Sequence, residues 1–504
     1  MPSRLDDINE QRRQTLERLR ERGIEPYPNN FARTHTTAEA IARLEEDEAN
    51  QTTQRAKSRV FGADEEAFRV AGRITAMRKM GKSSFLDIRD GSGRIQLLMK
   101  NAGFTAEQAE LFKDLDIGDT IGVEGSLLRT RTGEPTVSVT DFTLLSKSLQ
   151  PLPEKWHGLT DTETRYRQRY IDLISNTEVK ELFTIRSHTV AAVRQFLNRR
   201  GFLEVETPIL NPSAGGALAG PFTTHHNALD RDFFLRIATE LHLKRLVVGG
   251  FDKVYEIGRT FRNEGISTTH SPEFTMLESY EAYADYTDVM EMLEEMVCHV
   301  AREVLGATSV QYGENTLDLA PPWQRITLRD AVKEYAGIDF VSYPTADGLR
   351  ERMRGLDMGA NTGLNWAKLV DELLKNYVRP KCIQPTFVYD YPVSMSPLAK
   401  TRPGEERVVE RFQAMVGGSL EIANAYSELN DPILQRERFV EQMRDRHGED
   451  DEQWTIDEDY LTALEYGMPP TGGLGVGIDR LVMLLTNQTS IREVILFPQL
   501  KDKS

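Results

Sequence analysis

The sequence predicts an α+β protein in which a small β-barrel precedes a larger domain built on an antiparallel sheet. Three observations support this fold class. The chain has 504 residues, which is too many for one ordinary hydrophobic core. Five short segments with strand-like alternation follow one another between residues 68 and 146. Beyond them, strand-like and helical patterns are mixed, without the regular alternation of a βαβ protein.

The composition excludes several classes of protein. A net charge of −16 argues against nonspecific coating of nucleic acid, although a local basic patch can still bind it. Only two cysteines are present, so neither a disulfide framework nor a cysteine zinc site is expected. No apolar run is long enough to cross a bilayer, and the start, MPSRLDDINEQRRQ, lacks the apolar core of a secretory signal. We therefore expect a cytoplasmic protein that does not enter a membrane.

The first 66 residues are expected to hold a basic helix and a linker. Residues 5–23 alternate apolar side chains with several arginines at helical spacing. Such a basic face is either simply solvated or a contact to nucleic-acid phosphates. Residues 44–66 are polar and without pattern, which is typical of a linker or loop.

Residues 67–150 carry the barrel signal. Turn residues at Gly81, 90–93 and 132–135 separate the five strand-like segments, and a helical pattern lies near 105–115. This combination predicts a closed five-stranded barrel of the oligonucleotide-binding type, the OB-fold. The polar segment 151–176, which begins with two nearby prolines, is predicted to be a linker.

Residues 177–504 are predicted to form the larger domain. A helical pattern over 177–200 ends at Gly201. Strand-like runs follow at 203–206, 232–237, 252–261, 272–280, 383–391 and 419–427. The GGLGVG segment at 472–477 is only superficially like a phosphate-binding loop, because it does not follow a strand in a βαβ unit.

Three segments carry the strongest functional signal through their order along the chain. They are GFLEVETPIL at 201–210, FRNEG…HSPEFT at 261–275 and GGLGVGIDRLVMLLT at 472–486. Together they resemble the three signature motifs of class II aminoacyl-tRNA synthetases. The resemblance implies a class II catalytic domain that activates an amino acid with ATP, and a homodimer in which the first motif, with Pro208, forms the interface.

Phrases between these motifs resemble the lysine-specific, bacterial-type branch of the class. They are GGFDKVYEIGRTFRNEGISTTHSPEFTMLESYEAYADY at 249–286, PFTTHHNALD at 221–230, RIATELHLKRL at 236–246, SMSPLAK at 394–400 and IANAYSELNDP at 422–432. The aspartyl and asparaginyl enzymes share the three motifs but not these phrases. The likeness runs from about residue 5 to residue 500. It implies L-lysine, ATP and tRNA(Lys) as partners.

The resemblance assigns residues that bind ATP. Activation spreads negative charge over phosphoryl oxygens, and arginine supplies a permanent, multi-donor cation there. By resemblance, Arg262 bridges the amino-acid carboxylate and the α-phosphate, and Arg480 faces the γ-phosphate. Arg480 and Phe274 would enclose the adenine, while Glu264 and His270 would contact the base and phosphates. Taken alone, each arginine would more commonly form a surface ion pair.

The resemblance also assigns a lysine pocket. An ammonium group removed from water requires desolvated carboxylates. The residues implied for the side-chain ammonium are Glu278, Tyr280 and Glu428. Those implied for the rest of the amino acid are Gly216, Glu240, Arg262, Asn424 and Tyr426. A glutamate at an arbitrary position would more commonly be a solvated surface charge.

Adenylation with ATP requires Mg²⁺, which carboxylates and phosphate oxygens bind. The resemblance implies two glutamate ligands, of which one corresponds to Glu421. The other normally lies in a phrase like RFE, but here Gln413 follows Arg411 and Phe412. The stretch from Gln413 to Glu421 is also one residue longer than in the family. We therefore expect Glu421 as a metal ligand and Gln413 only as a weak one.

The barrel is expected to bind the anticodon, because single-stranded bases stack on aromatic rings and expose their edges. By resemblance, Phe85 stacks on a base, and Arg78, Gln96 and Glu134 contact base edges of a UUU-type triplet. Phe85 is equally well explained as a partly buried barrel residue.

Three functional hypotheses remain open at this point. The first is an active synthetase that charges tRNA(Lys). The second is a catalytically weak paralogue that binds tRNA or regulates, for which Gln413 is the support. The third is a paralogue that attaches lysine to a protein, although known relatives of that kind lack the barrel.

Overall fold

The computed structural model describes residues 4–50, 67–81, 83–153, 159–213, 215, 219–356, 363–446 and 456–501. The chain divides into two compact units, Met1–Gly158 and Leu159–Ser504. Within the described residues, no helix combines the length and the apolar character needed to cross a bilayer.

The first unit is a closed barrel with three helices in its described part. Its elements are α1 (Arg4–Glu21), α2 (Thr37–Asn50), β1 (Phe68–Met80), β2 (Ser83–Arg89), β3 (Arg94–Lys100), α3 (Ala106–Lys113), β4 (Thr120–Arg129) and β5 (Pro135–Ser146). The barrel order is β1-β2-β3-β5-β4, and β1 closes it by pairing with both β2 and β4. The predicted barrel, with its helix between the third and fourth strands, is confirmed.

Alternation within the strands explains the barrel core. Val70 and Ile74 on β1 and Ile121 and Val123 on β4 are fully buried, while their neighbours along each strand are not all buried. Gly125 lies where two strands approach closely, since a Cβ there would overlap the carbonyl oxygen of Ser138. A residue with a side chain would therefore force β4 and β5 apart.

Two segments predicted as linkers are partly helical. Helix α2 extends to Asn50, and its Leu44 is buried in the barrel core, so the prediction of a loop is wrong for residues 44–50. Residues 51–66 lie outside the described residues. Helices α4 (Thr162–Arg167) and α5 (Arg169–Ser175) occupy much of the predicted linker 151–176. The cause is Arg169, which is buried and pairs with Asp172 at 2.6 Å while donating to backbone carbonyls. The other domain boundaries stay predictions.

The basic face predicted on α1 is partly engaged within its own unit. Arg12 is buried and donates to the carbonyl oxygens of Gln150 at 2.8 Å, Ile117 at 3.0 Å and Ser148 at 3.1 Å. Two further arginines of the same face, Arg18 and Arg22, pair with Asp114. Burial leaves Arg12 no surface for a phosphate contact, while for the partly exposed Arg18 and Arg22 such a contact stays a prediction. The arginines at positions 13 and 20 are exposed.

The second unit is built on a large sheet covered by helices. After α4 and α5 its elements are α6 (Thr177–Arg199), β6 (Leu203–Glu204), β7 (Leu210–Asn211), β8 (Thr223–His226), β9 (Arg231–Leu235), α7 (Glu240–Val248), β10 (Lys253–Phe261), β11 (Glu273–Ala282), α8 (Tyr286–Leu305), β12 (Ser309–Tyr312), β13 (Asn315–Asp318), β14 (Gln324–Thr327), α9 (Leu328–Ala336), α10 (Ala346–Met353), α11 (Trp366–Leu373), β15 (Thr386–Pro392), β16 (Thr401–Arg402), β17 (Glu405–Val416), β18 (Leu420–Ser427), α12 (Pro432–Arg446), α13 (Glu458–Glu465), β19 (Thr471–Gly477) and α14 (Ile478–Leu485).

In the described part of this unit, eight strands follow the order β14-β15-β17-β18-β19-β11-β10-β6, and β16 adds to β17. All neighbours are antiparallel except β14 with β15 and β6 with β10. The predicted antiparallel α+β domain is therefore confirmed. The GGLGVG segment is strand β19, between β11 and β18, and not a phosphate loop. Glycine is rare in strands, which is why its pattern did not indicate one.

One face of the sheet packs against α6, α8 and α14. The apolar stripe of α14 is buried there, as are most side chains along α8. This arrangement leaves the opposite face of β11, β18 and β19 for a cavity.

The contacts of Arg12 allow a test of the first unit. Replacing Arg12 by Ala leaves three carbonyl groups without their buried donor, so the local free energy of unfolding should fall by about 1–3 kcal/mol. Hydrogen exchange of β5 amides in the full chain, followed by mass spectrometry, measures this change. Arg13→Ala on the same helix is the control and should leave exchange unchanged. Equal hydrogen exchange in the two variants would contradict a stabilising role for the hydrogen bonds of Arg12.

Candidate active site

A cavity of about 440 Å³ opens on the free face of β11, β18 and β19. It brings together side chains that are far apart in the sequence. Those among the predicted site residues are Glu240, Arg262, Glu264, His270, Phe274, Glu278, Tyr280, Glu421, Asn424, Tyr426, Glu428 and Arg480. Gly216 lies outside the described residues. The cavity has a carboxylate-rich end and an arginine-rich end.

The glycines of β19 create the space of the cavity. Gly473 pairs with Tyr280 of β11 on one side and with Tyr426 of β18 on the other. Gly475 pairs in the same way with Glu278 and Asn424. Because opposed residues point to the same face of a sheet, the middle strand leaves a trough between two rows of side chains.

The carboxylate-rich end is desolvated. Glu278 is buried and accepts hydrogen bonds from the Thr239 backbone N–H and the Tyr280 hydroxyl, both at 3.2 Å. Burial, with repulsion from Glu240, raises the pKa of Glu278 to about 7. Burial likewise raises the pKa of Glu428 above the ordinary value, although Lys244 opposes the rise. Such a site favours a ligand that brings positive charge, because ionised carboxylates are costly to bury without a cation.

The pocket wall between β17 and β18 contains a residue that the sequence did not reveal. Arg411 lines the cavity, and its Nε donates to Oδ1 of Asn424 at 2.9 Å. Its guanidinium also lies 4.5 Å from the ring centre of Tyr391. Asn424 in turn donates from Nδ2 to the Tyr426 hydroxyl at 2.6 Å. Arg411 thereby fixes the amide orientation that Tyr426 requires. The sequence feature that could have identified Arg411 is its position in the Arg411-Phe412 phrase, which resembles a family phrase.

The arginine-rich end holds Arg262 and Arg480. The guanidinium of Arg262 lies 5.2 Å from the ring centre of Phe274. Arg480 donates to the backbone oxygen of Glu421 at 2.8 Å and lies 3.3 Å from Nε2 of His270. Burial and the charge of Arg480 lower the pKa of His270, so its ring is neutral at pH 7. The predicted adenine site between Phe274 and Arg480 stays a prediction.

Asp479 holds this end of the cavity together. One carboxylate oxygen accepts the backbone N–H of Thr275 at 2.7 Å, and the other pairs with Arg186 of α6 at 2.6 Å. The adjacent residue is Arg480. The buried carboxylate therefore ties α6, β11 and α14 to one another and fixes the start of the helix that carries Arg480.

Of the two predicted metal ligands, Glu421 lines the cavity and Gln413 is not among the described residues that do. Glu421 lines the cavity and pairs with Arg379 at 3.4 Å. Gln413 is buried, and its Oε1 accepts a hydrogen bond from the Tyr391 hydroxyl at 2.8 Å. In the described ranges, no group of three or more His, Cys, Asp or Glu side chains could hold a metal ion. One carboxylate fits a Mg²⁺ that is bound mainly by phosphate oxygens, but the structure does not support Gln413 as a ligand.

The extra residue before Glu421 has a local explanation. The pairing of β17 with β18 shifts between Ala414↔Ala423 and Met415↔Glu421, so Ile422 is an extra residue on β18. This β-bulge absorbs the longer stretch. Pairing from Ala423 onward, which carries Asn424 and Tyr426, is regular.

In the first unit, the predicted anticodon residues lie on neighbouring strands. Arg78 of β1 is paired with Phe85 of β2, which is half-buried. Gln96 of β3 is buried and accepts from the Thr136 hydroxyl at 3.1 Å, and Glu134 pairs with Arg94. The structure thus groups these side chains, while their contact with nucleic acid stays a prediction.

Comparison with known proteins follows the same division of the chain. The family described as tRNA synthetases class II (D, K and N) matches residues 161–501. The OB-fold nucleic acid binding domain matches residues 68–145. The chain therefore belongs to the class II tRNA synthetases of this family.

Similar proteins cover almost the whole chain. A Lysine--tRNA ligase of Dehalococcoides mccartyi is 58% identical, with 98% of both chains covered. One of Moorella thermoacetica is 52% identical, with 99% of this chain and 98% of the relative covered. One of Bacillus cytotoxicus is 48% identical over the same shares.

The raised pKa of Glu278 predicts a pH-dependent stability. The folded protein holds this proton up to about pH 7, whereas the unfolded chain loses it near the ordinary pKa of 4.5. The folded state therefore loses stability as the pH rises between these values, by about 1.4 kcal/mol per pKa unit. Glu278→Gln removes this loss.

We expect Glu278→Gln to raise the melting temperature of the ligand-free protein at pH 8 and to change it little at pH 5. The stabilisation at pH 8 should be on the order of 3 kcal/mol. Thermal unfolding at both pH values measures the difference. If the melting temperatures of the two proteins differed as much at pH 5 as at pH 8, ionisation of Glu278 would not be the cause of the stabilisation.

Proposed function

We propose that this chain joins L-lysine to tRNA(Lys). It first forms lysyl-adenylate and pyrophosphate from lysine and ATP, and then transfers lysine to the 3′ end of the tRNA. The observation that carries the proposal is a cavity with buried carboxylates at one end and arginines at the other. A lysine zwitterion, which has two ammonium groups and one carboxylate, is complementary to this arrangement.

Lysine binds with its side chain at the carboxylate-rich end. Its ε-ammonium donates charge-assisted hydrogen bonds to Glu278 and Glu428, with the Tyr280 hydroxyl as a further partner. Glu240, and by family resemblance the backbone of Gly216, bind the α-ammonium. The Asn424 and Tyr426 side chains form the adjoining wall. The substrate carboxylate then points towards Arg262.

Activation occurs at the arginine-rich end. An oxygen of the lysine carboxylate attacks the α-phosphorus of ATP, the bond to the β-phosphate oxygen breaks, and pyrophosphate leaves. Arg262 stabilises charge on both reacting groups, and Arg480 stabilises charge on the leaving phosphates. Phe274, Glu264 and His270 orient the nucleotide.

Mg²⁺ bound with ATP would offset phosphate charge, and Glu421 is the residue that would hold it. Phosphate oxygens of ATP and water would supply the remaining ligands.

Transfer follows when a ribose hydroxyl at the tRNA end attacks the carbonyl carbon of the adenylate and AMP leaves. We propose that the barrel, residues 67–150, binds the anticodon through Arg78, Phe85, Gln96 and Glu134. Exposed arginines of α1 would add phosphate contacts. Binding at the barrel supplies specificity for the tRNA, while chemistry occurs in the second unit.

The working form that we propose is a cytoplasmic homodimer. Support for the dimer comes from the first motif, where Leu203, Ile209 and Leu210 are between 44% and 49% exposed. Large apolar side chains grouped on a surface favour burial against another chain. Sedimentation of the purified protein measures the oligomeric state.

Lysine-dependent exchange of pyrophosphate into ATP tests the proposed function. We expect exchange with lysine and Mg²⁺, none with aspartate or asparagine, and charging of tRNA(Lys). A weak paralogue that only binds tRNA predicts binding without exchange. A paralogue that attaches lysine to proteins predicts exchange without tRNA charging. Either result would contradict the proposal.

The glycines of β19 provide a matched pair of variants. In Gly473→Ala, the new Cβ would overlap Oε1 of Glu428 and lie 2.6 Å from the Tyr280 ring, so the lysine KM should rise at least tenfold. In Gly475→Ala, the nearest atoms are 3.7 Å or more away, so lysine use should change less than threefold. Exchange kinetics with varied lysine measure both. Equal effects would mean that Gly473 does not shape the lysine pocket.

A further inference from the structure

A lysine of the protein itself lies among the pocket carboxylates. Lys244 of α7 is fully buried, and its Nζ is 2.5 Å from Oε1 of Glu240 and in contact with Oε2 of Glu428. Both glutamates line the cavity, whereas Lys244 is not among the described residues that do. Its ammonium therefore approaches the two carboxylates from behind.

The positions of the three residues follow from their elements. Glu240 and Lys244 are four residues apart on α7, so they share one face of the helix. Glu428 follows β18, and its backbone N–H donates to the Thr471 oxygen at 2.8 Å. Lys244 thus connects α7 to the end of β18 at the carboxylate-rich end of the cavity.

The surroundings of Lys244 are acidic and aromatic. Glu278 and Tyr280 of β11 face the same cluster, and the ring centres of Tyr280 and Tyr460 lie 6.0 Å from Nζ. The guanidinium of Arg245 also lies 6.0 Å from the ring centre of Tyr460. Burial alone would lower the pKa of the Lys244 ammonium, but Glu240 and Glu428 raise it well above the ordinary value. Lys244 is therefore charged at neutral pH.

Charge matching gives this lysine a role. Glu240, Glu278 and Glu428 together carry three negative charges when ionised, but a lysine substrate brings only two ammonium groups. The carboxylate of the substrate points towards Arg262, so it does not change the balance between the three glutamates and the two ammonium groups. A third buried carboxylate without a cation would be strongly disfavoured. Lys244 supplies the third positive charge.

The Glu428 carboxylate points to the same role. Its Oε2 forms an ion pair with Lys244, yet neither Oε1 nor Oε2 has a hydrogen-bond partner among the described residues, although both are buried. Glu240 contacts Lys244 through Oε1. Glu428 thus faces Lys244 with one oxygen and keeps unused hydrogen-bonding capacity for a ligand.

We infer that Lys244 is a positioning residue of the lysine pocket, a fixed internal cation that holds the carboxylates of Glu240 and Glu428 in place and leaves hydrogen-bonding capacity of Glu428 for an ammonium group of the substrate. This inference rests on the proposed function. An ion pair that serves only folding is the competing explanation.

Lys244→Met in the full chain tests the inference. Without the internal cation, Glu428 takes up a proton more readily, because Lys244 opposes the rise of its pKa, and an ammonium ligand binds a protonated carboxyl poorly. We expect the lysine KM in exchange to rise at least tenfold at pH 7, while the ATP KM changes less than twofold. The ratio of variant to unaltered KM should shrink towards pH 9, where Glu428 ionises again.

Lys253→Met is the matched control, because Lys253 also forms an ion pair, with Glu281 at 2.6 Å, but is half-exposed on the same unit. It should leave both KM values unchanged. Lys244→Gln is the second variant, since it preserves length and a donor but not charge. We expect a lysine KM between those of the unaltered protein and Lys244→Met.

Several outcomes would overturn the inference. One is a lysine KM within threefold of the unaltered value in folded Lys244→Met. Another is a parallel rise of the lysine and ATP KM values at every pH, which indicates a general structural defect. If neither variant folds, Lys244 serves the fold and not the pocket. Lack of lysine-dependent exchange in the unaltered protein would instead refute the proposed function.

Discussion

The cost of removing an ionised carboxylate from water governs the second unit. Glu240, Glu278 and Glu428 are all buried at one end of the cavity. Each must either bind a cation or take up a proton. The internal cation of Lys244 and the hydrogen bond of Tyr280 to Glu278 meet this requirement, and so would the two ammonium groups of the proposed substrate. In the proposed function, the arginines at the other end meet the opposite charge of the substrate carboxylate and the phosphates.

The barrel and the antiparallel sheet could be predicted because their strands alternate and are bounded by turn residues. Strand β19 could not, since its pocket-facing positions are glycines and the strand exists through pairing with β11 and β18. Helices α4 and α5 were missed for a related reason. Their polar sequence is held by the buried ion pair of Arg169 and Asp172, which tertiary contact alone reveals.

The candidate site was predictable where motifs carried a resemblance, and not elsewhere. Lys244 lies on a helix whose alternation of apolar and charged residues indicates an ordinary surface lysine, yet it is fully buried. Gln413 shows the reverse case, because likeness to a family phrase suggested a weak metal ligand. Its buried hydrogen bond with Tyr391 directs the amide oxygen elsewhere.

The glycine strand at the centre of the pocket has an evolutionary consequence. Any single substitution at Gly473 adds atoms to a space that Glu428 and Tyr280 already border. A change at Gly473 can therefore only narrow the pocket. A descendant that accepts a bulkier amino acid would have to alter the side chains of β11 or β18 instead. A single substitution at Gly473 can thus shift specificity towards smaller ligands. A shift towards larger ligands requires substitutions on the flanking strands.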